Sequence, residues 1–356
     1  MNNRERIRAM CKGHPIDRQP FMFYFGPWQE TIERWMGEGL AGDWREVFCM
    51  DAGIETLNIN LGYSPAFEPL LIEEREKTRV IRDERGVTQI IRTDGASIPH
   101  FIDYPVKSES DWRALKSRLD PDDSKRFPAD FFARANALNN GDKAVQIGSY
   151  PYGLFGTLRD MMGVEELLIN FIDQPDLIAE MMDYLTDLWL IIYEKALKHV
   201  KVDIIHIWED MSGKTGSLIS PNMVRKFMCP NYRRISEFAK EHDIAVVAVD
   251  TDGNCEDLIP PFMEAGINLI MPFEVQAGSD VNKYRERYPD LTIMGGFDKR
   301  ALWTSEDAID AEFARLKPMF DKAVRYICMP DHLIPPEVPL NLFRYFMGRL
   351  RAEIGA

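Results

Sequence analysis

The chain is 356 residues long, and its 57 acidic side chains outnumber its 43 lysines and arginines, which gives a formal net charge of −14. This charge argues against nucleic-acid binding, because phosphate contacts require clustered basic side chains. No apolar run approaches the roughly 20 residues that a membrane-spanning helix needs, and the charged N-terminus is unlike a signal peptide. Five scattered cysteines are typical of free thiols. The sequence therefore predicts a cytoplasmic protein with small-molecule or protein partners, and no nucleic-acid or membrane partner.

Eight short runs along the chain have the composition of β-strands. They are residues 21–25, 54–60, 144–149, 203–207, 244–249, 267–271, 291–294 and 325–328. Several are continuously apolar, which is typical of parallel strands covered on both faces, and the segments between them have helical spacing. This alternation predicts an α/β protein with a single (β/α)8 TIM barrel, and a doubly wound sheet is the alternative.

One stretch interrupts the alternation of strands and helices. Residues 78–94 form two extended runs around Arg85 and Gly86, which predicts a β-hairpin inserted after the second strand. The whole insertion covers about residues 64–140. Further on, the apolar periodicity of residues 167–200 is broken at 173–175, which predicts two helices. Because no linker or internal repeat is present, we predict one barrel domain over residues 1–356.

Acidic and aromatic side chains follow the predicted strands, where a (β/α)8 barrel builds its active site. The acids after the last five strands are Glu209, Asp210, Asp250, Asp252, Glu274, Asp298 and Asp331, and His332 follows the eighth strand. The aromatic residues near strand ends are Phe25, Trp28, Tyr150 and Trp208. We predict that these four aromatic residues and Glu274 bind the substrate, since apolar walls with a few polar groups are typical of small-molecule sites.

The pair Asp250 and Asp252 is the most informative part of this pattern. Residues i and i+2 of a strand point to the same side, so both carboxylates can face one point at the barrel mouth. Together with His332 they predict a site for Zn²⁺ or another divalent ion, with Cys255 as a spare ligand. The alternative is that Asp252 belongs to a turn and helix cap while His332 pairs with Asp331.

Three acids are candidates for catalysis. Glu209 lies next to Trp208, so aromatic burial could raise its pKa and make it a general acid. Asp250 and Asp298 are the other two predicted catalytic carboxylates. The alternatives are that Glu209 caps a helix or pairs with Lys214, and that Asp298 pairs with a neighbouring lysine or arginine.

The residues 250–254, 295–300 and 331–339 together resemble the uroporphyrinogen decarboxylase superfamily, which includes cobalamin-dependent methyltransferases. The resemblance covers most of the chain and is strongest after about residue 200. It implies a (β/α)8 barrel. Decarboxylases of this superfamily carry an arginine-rich motif near the N-terminus. Residues 21–28, which stand at that place in this chain, contain no arginine.

Two further positions depart from the decarboxylase pattern. The family's catalytic aspartate corresponds to the region of Asn58 and Asn60, and its third-strand tyrosine corresponds to Thr157. A porphyrinogen carries many carboxylates, and an acidic mouth without arginine would repel it. The resemblance therefore favours the methyltransferase branch, whose zinc ligands correspond here to Asp250, Asp252 and His332.

In that branch the ligands are thiolates and one histidine, whereas this chain offers oxygen and imidazole donors. Harder donors leave a more Lewis-acidic metal, which suits an ether oxygen. We predict transfer of a methyl group from a small methylated donor, an aryl methyl ether, to a Co(I) corrinoid on a carrier protein, because the chain lacks the Asp-x-His-x-x-Gly corrinoid motif. The alternatives are a decarboxylase of a porphyrin or smaller acid, and a non-catalytic barrel that binds a tetrapyrrole or corrinoid.

Overall fold

The computed structural model describes residues 1–94, 99–321 and 323–356. Its strands are β1 (Ile54–Thr56), β2 (Leu70–Glu74), β3 (Thr78–Arg82), β4 (Thr88–Arg92), β5 (His100–Asp103), β6 (Ala144–Ile147), β7 (Ile204–Trp208), β8 (Ser212–Gly213), β9 (Gly216–Ser217), β10 (Val246–Asp250), β11 (Leu269–Met271), β12 (Thr292–Met294) and β13 (Tyr326–Ile327).

The α-helices surround the larger sheet and supply its outer layer. They are α1 (Asn3–Cys11), α2 (Gln29–Gly37), α3 (Trp44–Val47), α4 (Glu109–Leu115), α5 (Phe131–Asn139), α6 (Leu154–Met162), α7 (Val164–Asp173), α8 (Pro175–Leu197), α9 (Pro221–Met223), α10 (Cys229–Glu241), α11 (Ile259–Glu264), α12 (Val281–Arg287), α13 (Glu306–Arg315) and α14 (Leu340–Ile354). The predicted break near residue 174 is confirmed, since α7 ends at Asp173 and α8 begins at Pro175. Within the part of the chain that the structure describes, no helix combines the length and apolarity needed to cross a membrane.

Seven parallel strands form one curled sheet in the order β1-β6-β7-β10-β11-β12-β13. Its central strand, β10, is buried along its whole length and pairs with β7 on one side and β11 on the other. Such continuous apolar runs form parallel strands because both faces of the sheet are buried. The α/β class and the TIM-barrel-like architecture agree with the sequence analysis.

The prediction of eight paired strands in one closed barrel is wrong at the first strand. Residues 21–25 lie beside the sheet without forming a strand. The Asp51 carboxylate accepts the Phe21 N–H at 2.8 Å, and the Phe21 carbonyl accepts the Asp51 N–H at 2.9 Å. Further along, Pro27 forms a single parallel bridge with Ile334. The N–H and carbonyl of Phe21 are thus satisfied by Asp51 and not by a neighbouring strand.

The inserted region contains a second sheet of four antiparallel strands, in the order β2-β3-β4-β5. The two runs predicted as a hairpin correspond to β3 and β4, paired from Thr78 with Arg92 to Arg82 with Thr88. Strands β2 and β5 at the two edges were not predicted. All of β2 is exposed and its sequence does not alternate, so the period-two signal of a half-buried strand is missing.

The turn between β3 and β4 brings Arg85 towards the larger sheet. Gly86 has φ +82°, a conformation that L side chains rarely adopt. A Cβ atom at Gly86 would also approach the Phe67 ring to 2.9 Å. The turn therefore depends on glycine, and it positions Arg85 beside Tyr150 and Asp160.

Candidate active site

Strands β7 and β10 bring together a histidine from the middle of β7 and the aspartate that ends β10. His206 Nε2 lies 3.4 Å from Asp250 Oδ2, and the two residues are 1% and 7% exposed. Burial raises the pKa of Asp250, and the neighbouring imidazole lowers it by a smaller amount. The Tyr24 ring stacks on His206 with 5.4 Å between centroids and 7° between planes. His206 was missed in the sequence because we examined residues after the strands, whereas it lies inside β7.

A second histidine–carboxylate pair, His332 and Asp252, lies at the rim of the barrel-like sheet, and we call it the rim pair. His332 Nε2 is 3.4 Å from Asp252 Oδ2, and the side chains are 26% and 38% exposed. The Phe25 ring stacks on His332 at 5.1 Å and 12°. Burial lowers the pKa of His332, but the Asp252 carboxylate raises it more, and the net direction is upward. The Asp252 carboxylate thus makes the protonated form more favourable than in an isolated histidine, and the imidazole is partly exposed.

The alternative pairing of His332 with Asp331 does not occur. Asp331 is buried and accepts the Val275 N–H at 2.8 Å and the Lys299 N–H at 3.1 Å. Burial raises its pKa to about 6. Asp331 therefore fixes the loops after β11 and β12 and leaves His332 to Asp252.

The three predicted metal ligands are divided between these two pairs, with Asp250 Oδ2 3.4 Å from His206 Nε2 and Asp252 Oδ2 3.4 Å from His332 Nε2. In residues 1–94, 99–321 and 323–356, no three His, Cys, Asp or Glu side chains are arranged to hold a metal ion. Cys255 is a buried thiol whose pKa burial raises to about 12. These donors do not fit a shared ion as they are paired. Metal binding stays a prediction, which elemental analysis of wild type, Asp250→Ala and His332→Ala would test.

The mouth is not free of arginine, which corrects the sequence analysis. Arg159 of α6 pairs with Asp210 at 2.7 Å, and its guanidinium lies 4.9 Å from the centroid of the Trp208 ring. Arg85 pairs with Asp83 and Asp160 and donates to the Tyr150 hydroxyl at 2.8 Å. Both arginines come from elements that the strand-end pattern does not include. Each cation is already offset by carboxylates.

Glu209 is fully buried and faces the first turn of α6, an arrangement that does not favour its predicted role as a general acid. Its carboxylate is fully buried and accepts the N–H groups of Leu154, Phe155 and Gly156, at 2.9, 2.6 and 3.1 Å, and the Tyr232 hydroxyl at 2.7 Å. This is a cap on the first turn of α6. Burial raises the pKa of Glu209 to about 7, against the hydrogen bonds that lower it.

Two other predicted site acids hold the surrounding loops. Asp298 forms a bidentate pair with Arg300, with Oδ2 2.6 Å from Nη2, and does not act as a free carboxylate. Burial raises the pKa of Asp298 but Arg300 lowers it more, and the net shift is downward. Glu274 accepts the Gly253 N–H at 2.9 Å and so fixes the residue after Asp252. Gly253 has φ +76°, and a Cβ there would lie 2.5 Å from the Ser212 carbonyl oxygen.

The predicted aromatic residues form part of the wall. Tyr150 is 54% exposed and meets Trp208 edge to face at 4.7 Å, and Phe25 covers His332. Trp28 lies at the start of α2, and its buried indole N–H has no hydrogen-bond acceptor among the residues described. The wall thus combines flat aromatic surface with the exposed histidine–carboxylate pair.

The positions that depart from the decarboxylase pattern line a cavity of about 570 Å³ beside this wall, together with Tyr150. The Asn60 side chain accepts the Gly62 N–H and donates to the Tyr63 carbonyl, both at 2.9 Å. Thr157 accepts the Gly153 N–H at 3.1 Å. Asn60 and Thr157 therefore shape the loops that line this cavity.

The comparisons with known proteins agree with this architecture. The family model described as uroporphyrinogen decarboxylase (URO-D) matches residues 79–352. No curated protein matches the sequence significantly. A solved methyltransferase from Methanosarcina mazei is 16% identical, has a TM-score of 0.64 and is matched over 98% of both chains, which shows a shared fold. A protein described as a vitamin-B12-independent methionine synthase from Listeria monocytogenes is 13% identical over 63% of this chain and 66% of its own; its TM-score of 0.34 is too low to indicate a common fold.

Proposed function

The chain belongs to the uroporphyrinogen decarboxylase family, and from that premise we propose that it is a methyltransferase. The substrate is a small aryl methyl ether, and the methyl group passes to an acceptor on a partner protein. The observation that carries the proposal is the rim pair of His332 and Asp252, because it offers a proton where a substrate can enter. An aryl oxide leaves poorly unless its oxygen is protonated during the reaction.

The residues of this chain supply the proton and the position of the substrate. Asp252 holds His332 through Nε2, and His332 donates a proton to the ether oxygen through its other ring nitrogen, Nδ1. The methyl carbon–oxygen bond breaks with its electron pair remaining on oxygen, and a phenol is released. The electron pair of the acceptor forms the new bond to the methyl carbon. A Co(I) corrinoid on a carrier protein would supply that nucleophile, and no step requires a metal bound by this chain.

Decarboxylation of a porphyrinogen fits the site less well. Arg159 and Arg85 lie close to the aromatic wall, and carboxylates already hold both of them. A ring that carries many carboxylates would therefore meet a surface with excess negative charge.

We expect no conversion of uroporphyrinogen to coproporphyrinogen above the background rate. The products would be oxidised to porphyrins and separated by chromatography, with an authentic decarboxylase as the positive control. Coproporphyrinogen formed at enzymatic turnover would contradict the methyltransferase proposal.

The central test supplies purified protein with methoxybenzenes and chemically reduced cob(I)alamin. We expect the corresponding phenol to form only when protein, ether and reduced corrinoid are all present. Release of CO₂ from an aromatic acid without a corrinoid would favour a decarboxylase. Corrinoid binding without any turnover would favour a non-catalytic carrier.

A further inference from the structure

We propose that Glu274 and Asp331 are positioning residues, which set the distance between His332 and Asp252 through one closed ring of contacts. The ring joins the loops that follow β10, β11 and β13. Its consequence for catalysis rests on the proposed function, whereas the ring itself rests on the contacts alone. The inference gives Glu274 a different role from the substrate binding predicted from the sequence.

The first part of the ring connects Asp252 to Glu274. Gly253, which directly follows Asp252, donates its N–H to Glu274 Oε2 at 2.9 Å. The backbone at Gly253 is closely packed, since a Cβ atom there would lie 2.5 Å from the Ser212 carbonyl oxygen. The Glu274 carboxylate therefore helps to fix the piece of backbone that carries Asp252.

The second part of the ring connects His332 to the same loop. Asp331 directly precedes His332, and its Oδ2 accepts the Val275 N–H at 2.8 Å. Val275 directly follows Glu274 in the chain. Asp331 is 1% exposed, and its other oxygen accepts the Lys299 N–H at 3.1 Å. Both oxygens thus hold backbone donors, so two loops fix the segment that carries His332.

The contact between His332 Nε2 and Asp252 Oδ2, at 3.4 Å, closes the ring. This distance exceeds the usual range of about 2.7–3.2 Å for an N–H···O hydrogen bond, so a small displacement of either segment separates the pair. Groups that transfer a proton in catalysis must keep their positions within about 0.5 Å. Glu274 and Asp331 hold the two segments and therefore control this distance from outside the pair.

Glu274 also acts on His332 through its charge. Burial has the largest effect on the pKa of His332 and lowers it; Asp252 raises it, Lys299 lowers it and Glu274 raises it by a smaller amount. The Phe25 ring, stacked on His332 at 5.1 Å, is a further support for the imidazole. A test of positioning must therefore separate the hydrogen bond of Glu274 from its charge.

Nuclear magnetic resonance of the full chain, with its six histidines labelled with ¹³C, reads the surroundings of His332 directly. The ring cross-peak that is lost in His332→Ala identifies its signal. Glu274→Gln and Glu274→Ala both remove the charge, but only alanine removes the acceptor oxygen. At one fixed pH, alanine should displace the His332 cross-peak at least about twice as far as glutamine does. Equal displacements, or none in either variant, would overturn the proposal.

Steady-state kinetics separates positioning from the substrate binding predicted for Glu274. Loss of positioning lowers kcat and leaves KM nearly unchanged, because the aromatic wall that binds the substrate ring is intact. We expect Glu274→Ala to lower kcat about tenfold with less than about a twofold change in KM, and Glu274→Gln to restore most of kcat. A rise in KM at unchanged kcat would make Glu274 a substrate-binding residue and reject the positioning role.

Asp331→Asn tests the other side of the ring. Asparagine offers one acceptor oxygen to two N–H groups, so a hydrogen bond is lost and the His332 cross-peak should move. The matched control is Asp203→Asn, because Asp203 is also a buried aspartate that accepts a backbone N–H, that of Val145 at 2.8 Å, but it precedes β7 at the opposite end of the sheet. An unmoved signal in Asp331→Asn, or an equal movement in Asp203→Asn, would contradict the proposal. If Asp331→Asn does not fold, the two Glu274 variants decide.

The spectra separate this inference from the proposed function, since they require no methyl donor. If the His332 cross-peak moves as expected but no methyl ether is demethylated, the proposed function fails and the positioning role stands. If ethers are demethylated while Glu274→Ala and Glu274→Gln give equal displacements and equal kcat, the positioning role fails alone.

Discussion

Replacing His332 with alanine is expected to lower the rate of phenol formation by about 10²–10⁴-fold, the usual contribution of a positioned general acid. The fold should be unaffected, because His332 lies at the rim and is 26% exposed. The matched control is His14→Ala, since His14 is an exposed histidine away from the strand ends and its loss should leave the rate unchanged. A His332→Ala protein with wild-type turnover would contradict the assigned role.

The pH dependence of the rate of phenol formation provides a second test of His332. Because the pKa of His332 is raised above its usual value, the wild-type rate should fall as the pH rises through that raised pKa. Asp252→Asn removes the carboxylate that causes the shift, so burial then dominates and lowers the pKa. The fall in rate should therefore move to lower pH in this variant. An unmoved profile would show that Asp252 does not control the proton donor.

Replacing Glu209 with leucine is expected to lower the free energy of unfolding by about 3–5 kcal/mol, since several buried donors lose their acceptor at once. Tyr232→Phe removes one of these four hydrogen bonds and should cost about 1 kcal/mol. Denaturant unfolding measures both values, with Glu237→Gln on the exposed face of α10 as the control. A loss below 1 kcal/mol in Glu209→Leu would show that α6 does not depend on this cap.

Glu209 should also make stability depend on pH, with a defined sign. Its pKa is about 7 in the folded protein against 4.5 as the unperturbed value. A raised pKa means that the folded state binds the proton more tightly, so the contribution to stability is complete below pH 4.5 and is lost as the pH rises through 7. Glu209→Gln cannot titrate and should lack this part of the fall in unfolding free energy.

The strands of the larger sheet were predictable because burial on both faces leaves a continuous apolar run, as in residues 246–249 of β10. The same logic failed at residues 21–25. That segment is also apolar, but side chains alone do not reveal that Asp51 satisfies the Phe21 backbone. Apolar composition indicates burial, and it does not determine which groups receive the backbone hydrogen bonds.

The site was predictable in composition more than in arrangement. β10 ends at Asp250, so the alternation of a strand does not extend to Asp252, and the two carboxylates face different histidines. Glu209 precedes Asp210, whose φ of 40° departs from the extended conformation of a strand. Arg159 reaches the mouth from a helix face, which no strand-end pattern indicates.

Residues 21–25, which do not form a strand, also contact both histidines of the site. Tyr24 stacks on His206 and Phe25 stacks on His332, so adjacent residues of one segment cover both imidazoles. A single bridge at Pro27 joins the end of this segment to its neighbour, in place of a ladder of hydrogen bonds. Because Tyr24 and Phe25 are adjacent in the chain, we expect a displacement of Phe25 that exposes His332 also to shift the Tyr24 ring on His206. A substitution that loosens one imidazole should then change the surroundings of the other.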